Sequence, residues 1–131
     1  PKLTAALNLR IEARCKLLSV AAGYRYVAAV PSSYDLRIDR DRVLFSVWTA
    51  SGITRLSAVA PAMLDLSAHD LTAAYDGTAG LMIVSVDGIE IARRAAPTGP
   101  IAYFPSYKLY AGGSPWGGSF GGGLETLKIS R

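Results

Sequence analysis

The last third of the sequence contains the aromatic side chains best placed to bind a ligand. Trp116 lies within the glycine-rich segment 112–120, with Tyr103 and Tyr107 nearby in the sequence. Sugar rings stack on exposed aromatic faces, while polar groups bind their hydroxyls or carboxylates. Because a loop so rich in glycine buries little, these three aromatic residues are predicted to bind a ligand. The alternative is that Trp116 folds down and caps one end of the domain.

A basic stripe near the start of the chain is the second candidate site. The positions of Arg10, Arg14 and Lys16 differ by four and by two, so the three side chains share one face of an extended strand. A stripe of this kind could bind an acidic polysaccharide, and Arg10 and Arg14 are therefore also predicted ligand-binding residues. The alternative is a strand face that is only solvated.

The residue types that catalysis needs are sparse and scattered. Glycoside hydrolysis requires two carboxylic acids that face one bond, whereas Glu12, Glu90 and Glu125 each lack a matching carboxylate on the same strand face. A serine or cysteine triad requires a histidine, and the sequence has only His69. The sequence therefore predicts no catalytic residues, and we expect the protein not to be an enzyme.

Metal-binding residue types are equally few. One histidine and one cysteine, Cys15, do not provide a zinc site of ordinary ligand count. Calcium requires six or more oxygen ligands, and Asp39 with Asp41, or Asp65 with Asp70, could share one ion. The alternative is that segment 39–42 balances its own charge at a hairpin tip, while Asp76 and Asp87 form turns. We expect no cofactor and no metal site, with calcium as the one exception left open.

The clearest structural element is the segment Leu7–Leu17, in which apolar and polar residues alternate strictly. Such alternation predicts a strand with one face on a core and the other in water. Cys15 lies on the apolar face and is expected to be a small buried hydrophobe. Tyr34–Asp39 alternates in the same way, and Trp48, within a later strand, is expected in the core.

The rest of the chain is predicted to form short strands joined by turns. Asp76-Gly77 and Asp87-Gly88 each separate two β-rich runs, which favours hairpins because the turn needs positive φ. Only 60–68 is expected to hold a helical turn. The predicted strands are 7–17, 24–30, 34–39, 43–49, 53–59, 71–75, 81–86, 89–93, 107–111 and 124–130. With 131 residues, half of them hydrophobic, the sequence predicts one all-β domain, a two-sheet antiparallel β-sandwich.

Several motifs occur along the chain in a characteristic order. L-R-I-E-A-R at 9–14 is followed by A-H-D-L-T-A-A-Y-D-G-T at 68–78, V-S-V-D-G at 84–88, L-Y-A-G-G at 109–113 and F-G-G-G-L-E-T-L-K-I-S-R at 120–131. Together they resemble the motifs F-T-I-E-A-W-V, W-H-H-V-A-x-T-Y-D-G-T, L-Y-V-D-G, L-x-I-G-G and F-x-G-x-I-D-E-V-R-I-Y-N. These motifs belong to the concanavalin A-like lectin/glucanase superfamily, in its laminin G/pentraxin-like jelly-roll domains.

The resemblance implies a single jelly-roll domain over 1–131, as a module of a larger protein, with a structural role for His69. Members of the superfamily mostly bind glycans or proteins, often with calcium. The expected function is a non-catalytic module that binds carbohydrate on a cell surface or a polysaccharide. The alternative is a structural or interaction domain without a small ligand, either in a virion component (phage tail, fibre or capsid decoration) or in a surface adhesin.

Charge and hydropathy indicate which partners are expected. The net charge is +4, and the basic residues are scattered along the chain. Neither a recognition helix nor an aromatic-basic motif is predicted, so we expect no nucleic-acid binding. The apolar stretch 17–30 is interrupted by Arg25 and is too short to span a bilayer, so we expect no membrane insertion. The expected partner is a glycan or a protein, within an extracellular, cell-surface or virion setting that could be homo-oligomeric.

Overall fold

The computed structural model describes residues 7–19, 23–102, 108–112 and 123–131, which form two antiparallel sheets of five strands each. A short 3-10 helix, Pro61–Asp65, occupies the segment where the sequence predicts one helical turn. The strands are β1 Asn8–Cys15, β2 Arg25–Val30, β3 Tyr34–Asp39, β4 Arg42–Thr49, β5 Gly52–Val59, β6 His69–Asp76, β7 Leu81–Val86, β8 Ile89–Ala95, β9 Tyr110–Ala111 and β10 Leu124–Ser130.

The first sheet has the strand order β10-β1-β6-β7-β8, and the second has the order β5-β4-β3-β2-β9. The core lies between them, because alternate residues of each strand point to the same face. Ile11 of β1 is fully buried and pairs with Ala73 of β6 and Ile129 of β10. The largest fully buried side chains include Tyr75, Phe45, Ile11, Leu36, Ile38, Met63 and Leu71. The predicted two-sheet antiparallel sandwich is confirmed.

The alternation in β1 places its residues as the sequence predicts. Leu9, Ile11, Ala13 and Cys15 are buried, while the polar residues between them are exposed or half-buried. Cys15 is a free thiol, and burial raises its pKa to about 12. The thiol therefore stays protonated and unreactive at neutral pH.

The two Asp-Gly dipeptides form different turns. Asp87 and Gly88 both have positive φ, 51° and 80°, and connect β7 to β8 in the predicted hairpin. Asp76 instead ends β6, and its carboxylate accepts the backbone N–H groups of Thr78 and Ala79 at 2.9 and 3.0 Å. The chain then reaches β7 through the turn 77–80, in which Gly80 has a φ of 71°.

The middle of the second sheet is buried on both of its faces, which the alternation in Tyr34–Asp39 does not predict. Five of the six residues of β3 are buried, including Asp35 and Arg37. The next strand differs from expectation in another way. Trp48 pairs with the exposed Ile53 on the outer face of the sheet and is only half-buried. The expectation that Trp48 belongs to the core is therefore wrong, since its neighbours Val47 and Phe45 fill the core instead.

Candidate functional site

The predicted ligand-binding arginines lie on the outer face of the first sheet, where nearby carboxylates contact them. Arg10 Nε lies 3.1 Å from Glu12 Oε1. Arg14 lies 3.1 Å from Asp70 Oδ1 and 3.7 Å from Glu125 Oε1. These pairs lower the net positive charge of the stripe. Both arginines are exposed and adjoin open grooves, so their role in ligand binding stays a prediction.

The predicted aromatic residues Trp116, Tyr103 and Tyr107 lie outside the residues that the structure describes. Their role in ligand binding also stays a prediction. The same holds for the alternative in which Trp116 caps one end of the sandwich.

A second group of polar and aromatic side chains lies on the outer face of the second sheet, hereafter called the polar face. Its position follows from register: Asp35 pairs with Ala29 of β2 and Ser46 of β4, and Ser46 pairs with Arg55 of β5. Cross-strand partners share a face, and none of these residues belongs to the core cluster. The polar face comprises Tyr26, Ala29, Asp35, Arg37, Ser46, Trp48 and Arg55.

Arg37 is held against two tyrosines. Its Nη1 donates a hydrogen bond of 2.9 Å to the hydroxyl of Tyr26. The centre of its guanidinium group lies 4.2 Å from the ring centroid of Tyr24 and 5.7 Å from that of Tyr26. Both distances fall within the range of cation–π attraction. These contacts fix the plane of the guanidinium group, and Arg37 as a whole is only 9% exposed.

Asp35 lies two residues away on the same face and is 5% exposed. The hydroxyl of Ser46 hydrogen-bonds with its carboxylate, and Arg55 Nε donates to that hydroxyl at 2.8 Å. Burial raises the pKa of Asp35 above its ordinary value, although the nearby charges of Arg37 and Arg55 act in the opposite direction. The nearby positive charges and the hydrogen bond from Ser46 thus offset only part of the cost of burying the carboxylate.

Each member of this pair has one polar atom without a partner in the described part of the chain. Asp35 Oδ1 and Arg37 Nε are shielded from solvent and make no hydrogen bond there. A buried polar atom left unsatisfied costs about 1–3 kcal/mol. Tyr24, 46% exposed, borders the pair on one side, and the half-buried Trp48 lies two residues beyond Ser46 on the other. The arrangement therefore holds a shielded donor and a shielded acceptor, both without partners among the described residues, on a face bordered by aromatic side chains.

Sequence reasoning missed this group, although one signal was present. The segment Tyr26–Val30 contains no charged residue, and a strand that is apolar throughout is typical of burial on both faces. The residues paired with it, Asp35 and Arg37, must then be covered as well. The alternation of β3 by itself predicts instead that Asp35 and Arg37 are exposed.

His69 forms a separate cluster that joins three elements. Its Nδ1 lies 2.6 Å from Asp87 Oδ2 in the β7–β8 turn, and its Nε2 lies 2.9 Å from Asp65 Oδ1 in the 3-10 helix. Hydrogen bonding to Asp87, and then to Asp65, raises the pKa of His69. Hydrogen bonds from Ser67 lower the pKa of Asp65 to about 2, and the bond with His69 lowers that of Asp87. With both ring nitrogens occupied, His69 is suited to a structural role.

We expect His69→Asn to lower the free energy of unfolding by roughly 1–2 kcal/mol at pH 6, because it removes the hydrogen bonds to both carboxylates. The raised pKa of His69 stabilises the fold fully below about pH 6.5, and this contribution is lost as the pH rises through the folded-state value. The lowered pKa values of Asp65 and Asp87 stabilise the fold above about pH 3.8, and that contribution is lost as the pH falls. Urea denaturation between pH 5 and 9 tests this, and a loss that does not shrink above pH 7 would contradict it.

Among the residues described, no group of three or more His, Cys, Asp or Glu side chains could hold a metal ion. Asp65 is engaged by Ser67 and His69, and Asp39 accepts a hydrogen bond from the backbone of Gly23. Whether calcium binds stays a prediction. Within the same described ranges, no helix has the length and apolarity needed to cross a membrane.

The fold is the concanavalin A-like jelly roll, as solved structures show. Domains LG4-5 of the mouse laminin alpha1 chain are 22% identical, with a TM-score of 0.68 over 95% of this chain and 35% of that chain. A Bacteroides ovatus protein proposed to bind carbohydrate is 17% identical, with a TM-score of 0.79 over 98% and 38%. The CBM40 of the Ruminococcus gnavus IT-sialidase is 16% identical, with a TM-score of 0.75 over 95% and 76%.

At these identities the similarity establishes the fold alone. The chain spans little more than a third of the first two structures that it resembles. No protein-family model and no curated protein matches it.

Proposed function

We propose that this chain is a non-catalytic carbohydrate-binding module of an extracellular or cell-surface protein, and that it binds its ligand on the polar face. The observation that carries the proposal is the pair of buried, unpartnered atoms, Asp35 Oδ1 and Arg37 Nε. Tyr24 and Tyr26 contact Arg37, and Trp48 lies two residues beyond Ser46, the cross-strand partner of Asp35.

This combination matches what a sugar presents. Pyranose hydroxyls both donate and accept hydrogen bonds, and the apolar face of the ring packs on aromatic side chains. Ordered cross-strand partners also hold the site, since Ser46 and Arg55 fix Asp35 from one side and Tyr26 fixes Arg37 from the other. These contacts order the two side chains around their unpartnered atoms in the free protein.

The comparisons support this proposal at the level of fold. One of the similar structures is that of a protein proposed to bind carbohydrate, and another is the CBM40 of a sialidase. Because folds host many functions, the argument for this chain depends on its own side chains.

A glycan array probed with the folded chain tests the proposal, with Trp48→Ala as the first variant. We expect Trp48→Ala to weaken binding to the best array ligand about 10-fold or more, because stacking on an aromatic face contributes roughly 1–2 kcal/mol. Arg93→Gln on β8 is the matched control, since Arg93 is an exposed residue paired only with Glu90 in the described part of the chain.

The test also separates the polar face from the residues predicted from the sequence. If Trp116→Ala abolishes binding and Trp48→Ala does not, the ligand binds at the glycine-rich segment. The proposal that it binds on the polar face would then be wrong. A blank array from a folded, self-associating chain would reject carbohydrate binding. That result would favour the alternative, an interaction domain whose partner is a protein.

A further inference from the structure

The two unpartnered atoms of the polar face are of opposite chemical type. Asp35 Oδ1 can only accept a hydrogen bond while the carboxylate is ionised, and Arg37 Nε can only donate one. No ion pair joins the two side chains in the described ranges, and the partners each has there, Ser46 and Tyr26, engage other atoms. A ligand that satisfies both must therefore present a donor and an acceptor side by side.

The spacing of the two residues limits how such a ligand is built. Residues i and i+2 of one strand lie about 6.5 Å apart along the strand on the same face. Side chains from such positions can converge on neighbouring groups of one small ring. Two neighbouring hydroxyls of a pyranose supply both functions, because each hydroxyl donates and accepts.

The charges of the polar face favour a neutral ligand over an anionic one. Within the shielded pair, the negative charge of Asp35 offsets the positive charge of Arg37. A carboxylate or sulfate bound at Arg37 Nε would bring a second negative charge beside Asp35, and such repulsion is strong where water is excluded. Arg55 adds a positive charge, but it is exposed and its Nε already donates to Ser46, so solvent and salt screen it.

We propose that the polar face selects a neutral sugar, which binds through two neighbouring hydroxyls. One hydroxyl donates to Asp35 Oδ1 and the other accepts from Arg37 Nε, while the ring packs against Trp48 or Tyr24. This inference rests on the proposed carbohydrate-binding function and narrows its substrate class. Both atoms are shielded in the free protein, so the hydroxyls reach them only when the side chains around them move aside.

The experiment compares neutral hexose oligosaccharides with their uronate, sialylated and sulfated counterparts on one array, followed by calorimetry of the tightest neutral binder. We expect that binder to exceed its uronate analogue in affinity by about 10-fold or more. Asp35→Asn and Arg37→Gln should each weaken neutral binding by about 10-fold, since each replaces a charged hydrogen-bonding group by a neutral amide, and charge-assisted hydrogen bonds are about twice as strong. Glu90→Gln and Arg93→Gln, an acid–arginine pair on β8, serve as matched controls and should bind as the wild type does. Thermal unfolding of each variant verifies that it is folded.

The outcomes separate this inference from the proposed function. Binding of anionic glycans only, lost in Arg37→Gln, would overturn the neutral selectivity and leave carbohydrate binding intact. Neutral binding that Asp35→Asn and Arg37→Gln do not change would place the ligand away from this pair and overturn the inference as well. A blank array across all glycan classes would reject the proposed function itself.

Discussion

Gly77→Ala is expected to lower the free energy of unfolding by roughly 3 kcal/mol, among the largest effects of any single substitution in the described chain. A Cβ atom at residue 77 would collide with the backbone carbonyl oxygens of Gly99 and Leu7. Those backbones are tied to residue 77 itself: its N–H donates to Leu7 and its carbonyl accepts from Gly99, each at 2.8 Å. Relief of the collision therefore requires the loss of both hydrogen bonds.

Urea denaturation measures this effect, with Gly88→Ala as the control. Gly88 has a φ of 80° and open space where a Cβ would lie, so alanine there costs only backbone strain, about 1 kcal/mol. Gly77 lacks the positive φ but has the collision. A Gly77→Ala variant no less stable than Gly88→Ala would contradict the close approach of the three segments.

The same contacts give a physical reason for the Tyr75-Asp76-Gly77 motif. The hydroxyl of Tyr75 hydrogen-bonds with the carbonyls of Pro97 and Gly99 at 2.8 and 2.6 Å. Asp76 then caps the turn to β7, and Gly77 allows the chain to pass between residues 7 and 99. Residues 75–77 thus connect the end of β6 to residue 7 on one side and to residues 97–99 on the other.

Most of the fold could be predicted because its signals are local. The two-residue period of β1 and the Asp87-Gly88 turn each depend on a few consecutive residues, and the structure confirms both. The strand ends were less predictable: Leu7–Leu17 becomes Asn8–Cys15, since pairing with β6 and β10 covers only those residues.

The candidate site could not be predicted in the same way, because it depends on which strands become neighbours. Asp35 is buried as a consequence of lying between Ala29 and Ser46, residues of two other strands. The His69–Asp87 contact likewise joins residues 18 apart in the sequence. Residue type alone also misleads at Trp48. A tryptophan within a strand is expected in the core, but the alternation of β4 places Trp48 on the outer face of the sheet.

Arg37→Met is expected to lower the free energy of unfolding by roughly 2–3 kcal/mol, because the buried carboxylate of Asp35 loses the cation that acts on it most and keeps only Arg55. The substitution removes the hydrogen bond to Tyr26 and the contact with the ring of Tyr24. It also removes the positive charge that lowers the pKa of Asp35. Combination with Asp35→Val should recover much of this loss, since the buried carboxylate is then removed as well, although Ser46 and Tyr26 each lose a hydrogen-bond partner.

The pH dependence of this loss identifies its source. Burial raises the pKa of Asp35 in the folded state, so the ionised carboxylate destabilises the fold, and stability is regained as the pH falls through that raised value toward about 3.8. The loss in Arg37→Met should therefore be largest near pH 7 and shrink toward pH 4, as measured by urea denaturation. A double variant as unstable as the sum of the two single ones would mean that the two residues stabilise the fold independently, and it would contradict the coupling of Asp35 to Arg37. A stable double variant that no longer binds sugar would mean that the protein retains this pair, at a cost in stability, for its ligand.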